Sequence, residues 1–542
     1  MVKYSNIHKY YVLKTVIYIL FIIFIMISCQ KTDINKKEII VNLFTEPLTI
    51  DPSLNTDSWP ASYMLHNFEG LVKKDENNNI IPGVAESWNI SEDGLIYTIK
   101  LRTNAKWSDG KTVTSHDFVY TYQRIVNPKT AAKFSYFLDP IKNAKSIYEG
   151  KKNIDTLGVK ALDDYTLEIY LETPTAYFLD LLAFPTYLPV RKDIIEKYGD
   201  KWTLNPESYI GNGPFKMIER KIDDKLVLER NTYYWDTNNI KLNKITFLLS
   251  DDYNLSLSGI LNNKLNFSKY VSRKNLDFIK ENNILTTKQM LATYCYRINN
   301  TNEVLNDIRV REALNLAIDR NYLVETITKL NEKPANAFVA YGINDYEGNF
   351  RENGKNYFDI SKEGYSNNVI KAKKLLEEAG YSNKKFPPLS ITIASEEKDI
   401  EIAEAIQNML KENLNIDTII NKYDFGTYLS YMHSRNFELA MYSWYGDFND
   451  PINFLLPFES TSFQNYGSFI NEKYDNYIQI AITNHNNKYR MEVLHKAEDI
   501  LIENYSIIPL YFINEAFLIS TNIKNIEYDP MGMVRFIHSY IE

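Results

Sequence analysis

No segment of this chain repeats at a fixed period, and its 542 residues are too many to pack around one hydrophobic core. A stacked-repeat array is therefore excluded, and two or three folding units are expected. Apolar residues make up 44% of the chain and charged residues 24%, values that are typical of soluble globular proteins. The sequence thus predicts a large multidomain protein.

Hydrophobic residues alternate with period two in some segments and recur every three to four residues in others. The first pattern predicts strands and the second predicts amphipathic helices. Strands are expected at residues 39–44, 96–101, 166–171, 226–229, 245–249 and 437–442. Helices are expected at residues 308–317, 370–379, 401–414 and 489–504. In the second of these helices, Ile370, Leu375, Leu376 and Ala379 form the expected buried face, and Gly380 ends the helix. The predicted fold class is α/β.

The amino terminus has the pattern of an export signal. Lys3, His8, Lys9 and Lys14 precede an uncharged stretch of 14 residues, shorter than the ~20 that a membrane-spanning helix needs. The stretch ends at Met-Ile-Ser-Cys, residues 26–29, which resembles a bacterial lipobox with Met in place of the usual Leu. The resemblance implies a lipoprotein signal peptide at 1–28, diacylation of Cys29 and a flexible tether at 29–38. A plain signal peptide or a short anchor remains the alternative.

Cysteine content agrees with this interpretation. The chain has two cysteines, Cys29 and Cys295. If Cys29 carries lipid, Cys295 is unpaired, and no disulfide framework can form despite export. We expect Cys295 to be a small buried hydrophobic residue.

Charge and motif content exclude several function classes. A formal net charge of −8 repels phosphate backbones, so nucleic-acid binding is not expected. The seven histidines include no close pair at metal-ligand spacing on one helix, and no catalytic nucleophile or phosphate-loop motif is present. We therefore predict no enzyme activity, no cofactor and no metal.

The segment from Trp444 to Pro451 is the most informative stretch of the chain. A predicted strand leads into it, and Asp447 follows among three aromatic residues. A carboxylate held against aromatic rings is poorly solvated and needs a positive partner. No Lys or Arg lies between Asn436 and Lys473, so the partner is either a distant side chain or a ligand cation. Sequence patterning alone favours a loop after a strand here.

Ordered motifs along the whole mature chain resemble the periplasmic oligopeptide-binding proteins of ABC importers, the family-5 extracellular solute-binding proteins. The motifs are DP at 51–52, FEGL at 68–71, GVAESW at 83–88, NAKWSDG at 104–110, HDFVY at 116–120, GVKALDD at 158–164, GDKW at 199–202, LERN at 228–231, YWD at 234–236, NDIRVR at 306–311 and LAIDR at 316–320.

The resemblance implies a two-lobed, three-domain periplasmic-binding-protein fold of the large class, cluster C type, with the ligand in an interlobe cleft. Domain I would comprise residues 39–69, 192–291 and 515–542, domain II residues 70–191, and domain III residues 292–514. The chain would cross between lobes near Ala292 and Asn514, both expected in irregular or strand-edge sequence. Closure about these crossings would be a hinge motion.

The resemblance also implies roles for individual residues. Asp447 would bind the α-ammonium group of a peptide, and the backbone at Ser443 and Tyr445 would pair with the peptide as an added strand. Trp444 would line a side-chain pocket. Phe425 and Phe134 match further pocket aromatics, although a core role for these two stays equally open.

The chain departs from the family pattern at the carboxyl end of the ligand. Met441 and Met432 replace basic contacts, although His433 and Arg435 lie close in sequence, and Ile513 replaces a pocket tyrosine. Ala292 and Tyr445 occupy the positions of a cysteine pair found in some relatives.

The predicted function is capture of short peptides for import by an ABC permease with its cytoplasmic ATPases. The protein would be a membrane-anchored lipoprotein facing the periplasm or cell exterior. Alternatives on the same fold are a murein peptide, dipeptide, nickel complex or sugar as ligand, or a role as adhesin or chaperone. A lipoprotein enzyme is the remaining alternative.

Overall fold

The computed structural model describes residues 37–75, 78–382 and 384–542. The predicted signal peptide, Cys29 and nearly all of the tether at 29–38 lie outside these residues. Over the part of the chain that is described, no helix is both long and apolar enough to cross a membrane.

Strands are numbered in chain order. They are β1 Glu38–Phe44, β2 Val72–Lys74, β3 Ile80–Pro82, β4 Ala85–Ile90, β5 Ile96–Leu101, β6 Val159–Asp163, β7 Thr166–Tyr170, β8 Phe215–Lys221, β9 Lys225–Arg230, β10 Lys244–Leu249, β11 Phe267–Ser268, β12 Leu285–Ile298, β13 Lys333–Pro334, β14 Leu389–Ala394, β15 Thr418–Tyr423, β16 Leu439–Tyr445, β17 Ile507–Ile519, β18 Ile523–Lys524, β19 Glu527–Tyr528, β20 Val534–Arg535 and β21 Tyr540–Ile541.

The α-helices are Ser58–Asn67, Ser115–Val126, Ala144–Tyr148, Phe178–Leu182, Lys192–Tyr198, Tyr253–Leu261, Leu276–Glu281, Ile308–Leu316, Arg320–Tyr322, Phe350–Asn353, Lys362–Leu376, Glu397–Leu414, Phe425–His433, Ile452–Leu455, Glu472–Thr483 and Asn487–Glu503.

A mixed sheet of 11 strands runs through the molecule in the order β15-β14-β16-β12-β17-β11-β1-β10-β9-β8, with β13 paired to β17. A separate four-stranded antiparallel sheet has the order β4-β5-β7-β6. Two large hydrophobic cores pack against these sheets. One core is built from residues 290–513, and the other from residues 39–267 and 517–541.

The long strands β12 and β17 connect the two cores. Each strand continues from one core towards the other. Gln289 pairs with Asn514 and Thr293 pairs with Phe512, but the regular pairing is interrupted between these two pairs. The predicted crossing points at Ala292 and Asn514 lie inside these long strands, within or beside the irregularity in their pairing. The uneven spacing, four residues of β12 against two of β17, is a bulge that bends the ribbon between the cores.

Most predicted elements are present with shifted ends. The helix predicted at 370–379 begins earlier, at Lys362, and Gly380 has a φ of 96°, the left-handed geometry expected after a helix. Its predicted buried face was partly wrong, because Ile370 is 69% exposed whereas Ala372 and Leu376 are buried. The neighbouring helix Ile308–Leu316 covers the face that carries Ala372, which leaves Ile370 in solvent.

Candidate functional site

Strand β16 positions the predicted site. It begins in the core at Leu439 and runs between β14, which is parallel to it, and β12, which is antiparallel. The predicted strand at 437–442 therefore begins two residues later and continues to Tyr445. Trp444 and Tyr445 belong to the strand and not to the loop that the sequence favoured, because pairing with Thr293 and Ala292 of β12 extends the ladder.

The far edge of β16 is open near its carboxyl end. Pairing with β14 involves Leu439 and Ala440, and no described strand continues it beyond that point. On the β12 side, the Gly446 amide donates to the Leu291 carbonyl at 2.7 Å. Because hydrogen-bonded and non-bonded pairs alternate in an antiparallel ladder, the backbone groups of Ser443 and Tyr445 point away from β12. They face the open edge.

The loop after β16 is held by Asn453. Its side-chain oxygen accepts hydrogen bonds from the Trp444 indole at 3.1 Å and from the Asp447 amide at 3.2 Å. Gly446 lies so close to its neighbours that a Cβ there would be 3.1 Å from the Phe454 ring and 3.3 Å from the Leu291 carbonyl oxygen. The turn that presents Asp447 therefore has a fixed geometry.

A buried ion pair fixes the other end of this loop. The two terminal nitrogens of Arg490, Nη1 and Nη2, donate to the Asp450 carboxylate at 2.6 and 2.7 Å. Between the two anchors, the Phe448 ring stacks on Tyr177 with centroids 4.4 Å apart. Tyr177 and Phe448 each pack against both hydrophobic cores, so this stack joins the two halves of the molecule.

The carboxylate of Asp447 lacks a cationic partner among the residues described. Burial raises its pKa from 3.8 to about 6, and the contact with the Asn453 side chain lowers it only in part. The predicted need for a positive partner is therefore not met by any ion pair within the described chain. Asp447 lines a cavity of about 350 Å³ together with Tyr445, Glu515, Trp59 and other residues.

The aromatic residues predicted for the site divide into two groups. Phe134 lines the same cavity as Asp447 and packs against Phe184. Phe425 begins the helix Phe425–His433, is 62% exposed and is not part of this cavity. Sequence reasoning missed Tyr136, whose pKa is raised by burial and then by the charge of Asp447.

Tyr177 and Asn453 were also missed. Both act through contacts with the 444–448 segment, and neither carries a motif of its own. No local sequence signal would have identified them.

Three of the positions that depart from the family pattern lie in the core. Met441, Met432 and Ile513 are all buried. Ala292 and Tyr445 lie directly opposite each other in the β12–β16 ladder. Cys295 is a free, fully buried cysteine as predicted, and burial raises its pKa to about 12.

Comparison with known proteins identifies the family of this chain. Residues 79–466 match the model of the bacterial extracellular solute-binding proteins, family 5. The chain is 33% identical to the dipeptide-binding protein DppE of Bacillus subtilis over 507 residues, covering 92% of this chain and 91% of that protein. It is 36% identical to the periplasmic murein peptide-binding protein MppA of Escherichia coli, covering 90% of each chain.

Solved structures give the same result. The unliganded open form of the murein tripeptide-binding protein MppA superposes with a TM-score of 0.82 at 33% identity, covering 94% of this chain and 98% of the other. Haemophilus influenzae OppA in complex with RPPGFSPFR gives 0.74 at 29% identity, covering 94% and 99%. These likenesses confirm the predicted family-5 fold, and the relatives are binding proteins rather than enzymes, as the sequence predicted. The chain belongs to the family-5 bacterial extracellular solute-binding proteins.

Proposed function

We propose that this protein captures short peptides outside the cytoplasm by their amino end and delivers them to the permease of an ABC importer. The observation that carries the proposal is the Asp447 carboxylate, unpaired within the described chain and placed at the end of a strand with an open edge. A peptide ammonium would supply the missing charge. Relatives named for binding dipeptides, oligopeptides and murein peptides support this ligand class.

The open edge suggests how the rest of the ligand is held. A peptide added as a strand would pair with the backbone of Ser443 and Tyr445, so its affinity would depend on main-chain bonds. Trp444 and Phe134 would then contact side chains. Phe425 is exposed and lies apart from the cavity, so it would contact a peptide side chain only if the lobes move on binding.

The molecular organisation is part of the proposal. We propose lipid anchoring through Cys29, with the tether at 29–38 leading to the folded part. The three domains would follow the boundaries 39–69 with 192–291 and 515–542, 70–191, and 292–514. The change of hydrophobic core along β12 and β17 supports a division between lobes near these limits.

Replacement of Asp447 by Asn tests the amino-end contact. The variant keeps the shape of the side chain and removes its charge, and loss of one partner of a buried charge pair costs roughly 3–5 kcal/mol. We expect calorimetry to show at least a hundredfold weaker binding of trialanine, with unchanged circular dichroism. N-acetyl-trialanine should bind the natural protein weakly, and the variant should discriminate less between the two peptides.

The exposed Asp155, which does not line the cavity, provides a matched control. Asp155→Asn should bind trialanine as the natural protein does. Equal binding of free and acetylated peptides by the natural protein would contradict the assignment of Asp447 and favour a ligand without an amine.

A further inference from the structure

A buried arginine lies on the same sheet as the proposed site. Arg297 lies on β12 opposite Ala440 of β16. Further along the two strands, Cys295 lies opposite Tyr442 and Thr293 opposite Trp444. Alternate residues of paired strands share one face, so Arg297, Tyr442 and Trp444 project from the same face of the sheet. Only 1% of Arg297 is exposed.

The guanidinium group of Arg297 is surrounded by aromatic rings. Its central carbon lies 3.6 Å from the Phe458 ring centre and 4.2 Å from that of Tyr442. The guanidinium group has a hydrogen bond with the Tyr442 side chain, but its nitrogens Nε and Nη2 are buried without a hydrogen-bond partner. No ion pair joins Arg297 to a carboxylate of the described chain. The Tyr442 ring in turn stacks on Trp444 at an interplanar angle of 22°.

Three other buried arginines of this protein have acceptors for their charge. Arg351 and Arg490 form ion pairs with Glu498 and Asp450. Arg320 donates to backbone carbonyls and to the Asn315 side chain. Burial of a charge without a partner is costly, whereas cation–π contacts offset only about 0.5–2 kcal/mol. Two nitrogens of the Arg297 guanidinium group are therefore free to bind an added acceptor.

The open edge of β16 brings a ligand close to this position. Asp447 lies five positions after Tyr442, a distance of about 17 Å for extended backbone. A short extended peptide that begins at Asp447 would thus carry its far end towards the Tyr442 and Arg297 side chains. Carboxylate is the group that matches a guanidinium in both charge and geometry.

We propose that Arg297 is the counter-ion for a carboxylate of the bound peptide, held beside Trp444 and Tyr442. This inference rests on the proposed peptide-binding function and adds to it the chemistry at the second end of the ligand. The carboxylate comes either from the peptide carboxyl terminus or from an acidic side chain. Asp447 and Arg297 would then select peptides with a positive amino end and a negative group further along.

The test uses the full chain and pairs of peptides that differ in one charge. Pentaalanine is compared with its carboxyl-terminal amide, and amidated Ala-Ala-Glu-Ala-Ala with amidated Ala-Ala-Gln-Ala-Ala. In one of the two pairs, calorimetry should show the natural protein binding the acid at least tenfold more tightly, and that pair identifies the source of the carboxylate. Arg297→Gln should reduce this preference to less than threefold and leave binding of the uncharged member nearly unchanged.

Two further measurements separate ligand binding from a structural role. Because the variant removes an unpaired buried charge, its unliganded melting temperature should be unchanged or higher. Arg435→Gln is the control, because Arg435 is exposed and lies ten residues before Tyr445. This variant should still bind the acidic peptide more tightly than its uncharged partner.

Each remaining outcome overturns the inference. It fails if the natural protein binds acid and amide equally in both pairs, if Arg297→Gln keeps the preference, or if Arg435→Gln abolishes it. Failure of all four peptides to bind would instead reject the proposed function on which the inference rests.

Discussion

The electrostatics of Asp447 make its charge depend on pH near neutrality. Burial favours the protonated form and raises the pKa to about 6, and no described cation offsets this. A bound ammonium would stabilise the ionised form and lower the pKa. In the proposed binding mode, peptide binding and proton release at this residue are linked.

Peptide affinity should follow this titration. Below the raised pKa of about 6 in the unliganded protein, a proton must leave Asp447 before the ammonium binds. The dissociation constant of trialanine should therefore increase by up to about tenfold per pH unit below 6. It should be lowest near pH 7 and increase again as the peptide amine, with a pKa of about 8, loses its proton.

Calorimetry from pH 4.5 to 9 measures this profile, with circular dichroism to confirm folding at each pH. In Asp447→Asn the acid limb should disappear while the alkaline limb weakens. An acid limb that persists unchanged in the variant would assign the titration to another group.

At the scale of elements, the site depends on how the loop after β16 is attached. Asn453 fixes its beginning through Trp444 and Asp447, and Arg490 fixes its end through Asp450. The Arg490 and Asp450 side chains are only 3% and 5% exposed. Arg490 belongs to the helix Asn487–Glu503, so the loop is tied to a distant element of the chain.

Arg490→Met should destabilise the protein and weaken peptide binding together. It leaves the Asp450 carboxylate buried without its partner, which costs roughly 3–5 kcal/mol in unfolding free energy. Urea denaturation measures the stability, and calorimetry the affinity for trialanine. The double variant Arg490→Met with Asp450→Asn should recover part of the loss, because no unpaired charge remains.

The exposed pair of Arg309 and Asp307 provides the control, since Arg309→Met removes a pair with 45% and 30% exposed side chains. An exposed pair contributes about 0–1 kcal/mol. If Arg309→Met were as destabilising as Arg490→Met, burial of the Asp450 pair would not be the reason.

At the scale of the whole molecule, two continuous strands and one aromatic stack join the two cores. β12 and β17 pass between them at a bulge, and Tyr177 stacks on Phe448, the residue after Asp447. The TM-score of 0.82 to an unliganded open form shows that the two halves are arranged much as in that structure. In the proposed two-lobed organisation, hinge closure at the bulge would move Phe134 and Asp447 towards a bound peptide.

Anchoring of the whole molecule is tested at Cys29. Two acyl chains give stable membrane attachment where one is marginal. Cys29→Ser should therefore lose labelling by radioactive palmitate and appear in the soluble fraction or as an uncleaved precursor. Cys295→Ser serves as the control and should keep the label, and a Cys29→Ser protein that is still labelled would contradict lipid attachment at this residue.

Local sequence determined much of this protein. Period-two alternation predicted β5 and β7 within one residue, since in each strand one face is more deeply buried than the other. The family motifs predicted the fold. The absence of Lys and Arg between Asn436 and Lys473 identified Asp447 as a carboxylate without a local partner.

Tertiary structure decided the rest, because those contacts join residues far apart in the chain. Asp450 meets Arg490 across 40 positions, and Phe448 meets Tyr177 across more than 250. Ile370 is exposed because a neighbouring helix selects which face of its own helix is buried. Likewise, the sequence shows that Arg297 carries a charge, but only the packing of Tyr442 and Phe458 around it shows that the charge is buried without a carboxylate partner. Burial depends on the neighbours that folding brings together, and these are not encoded in any local pattern.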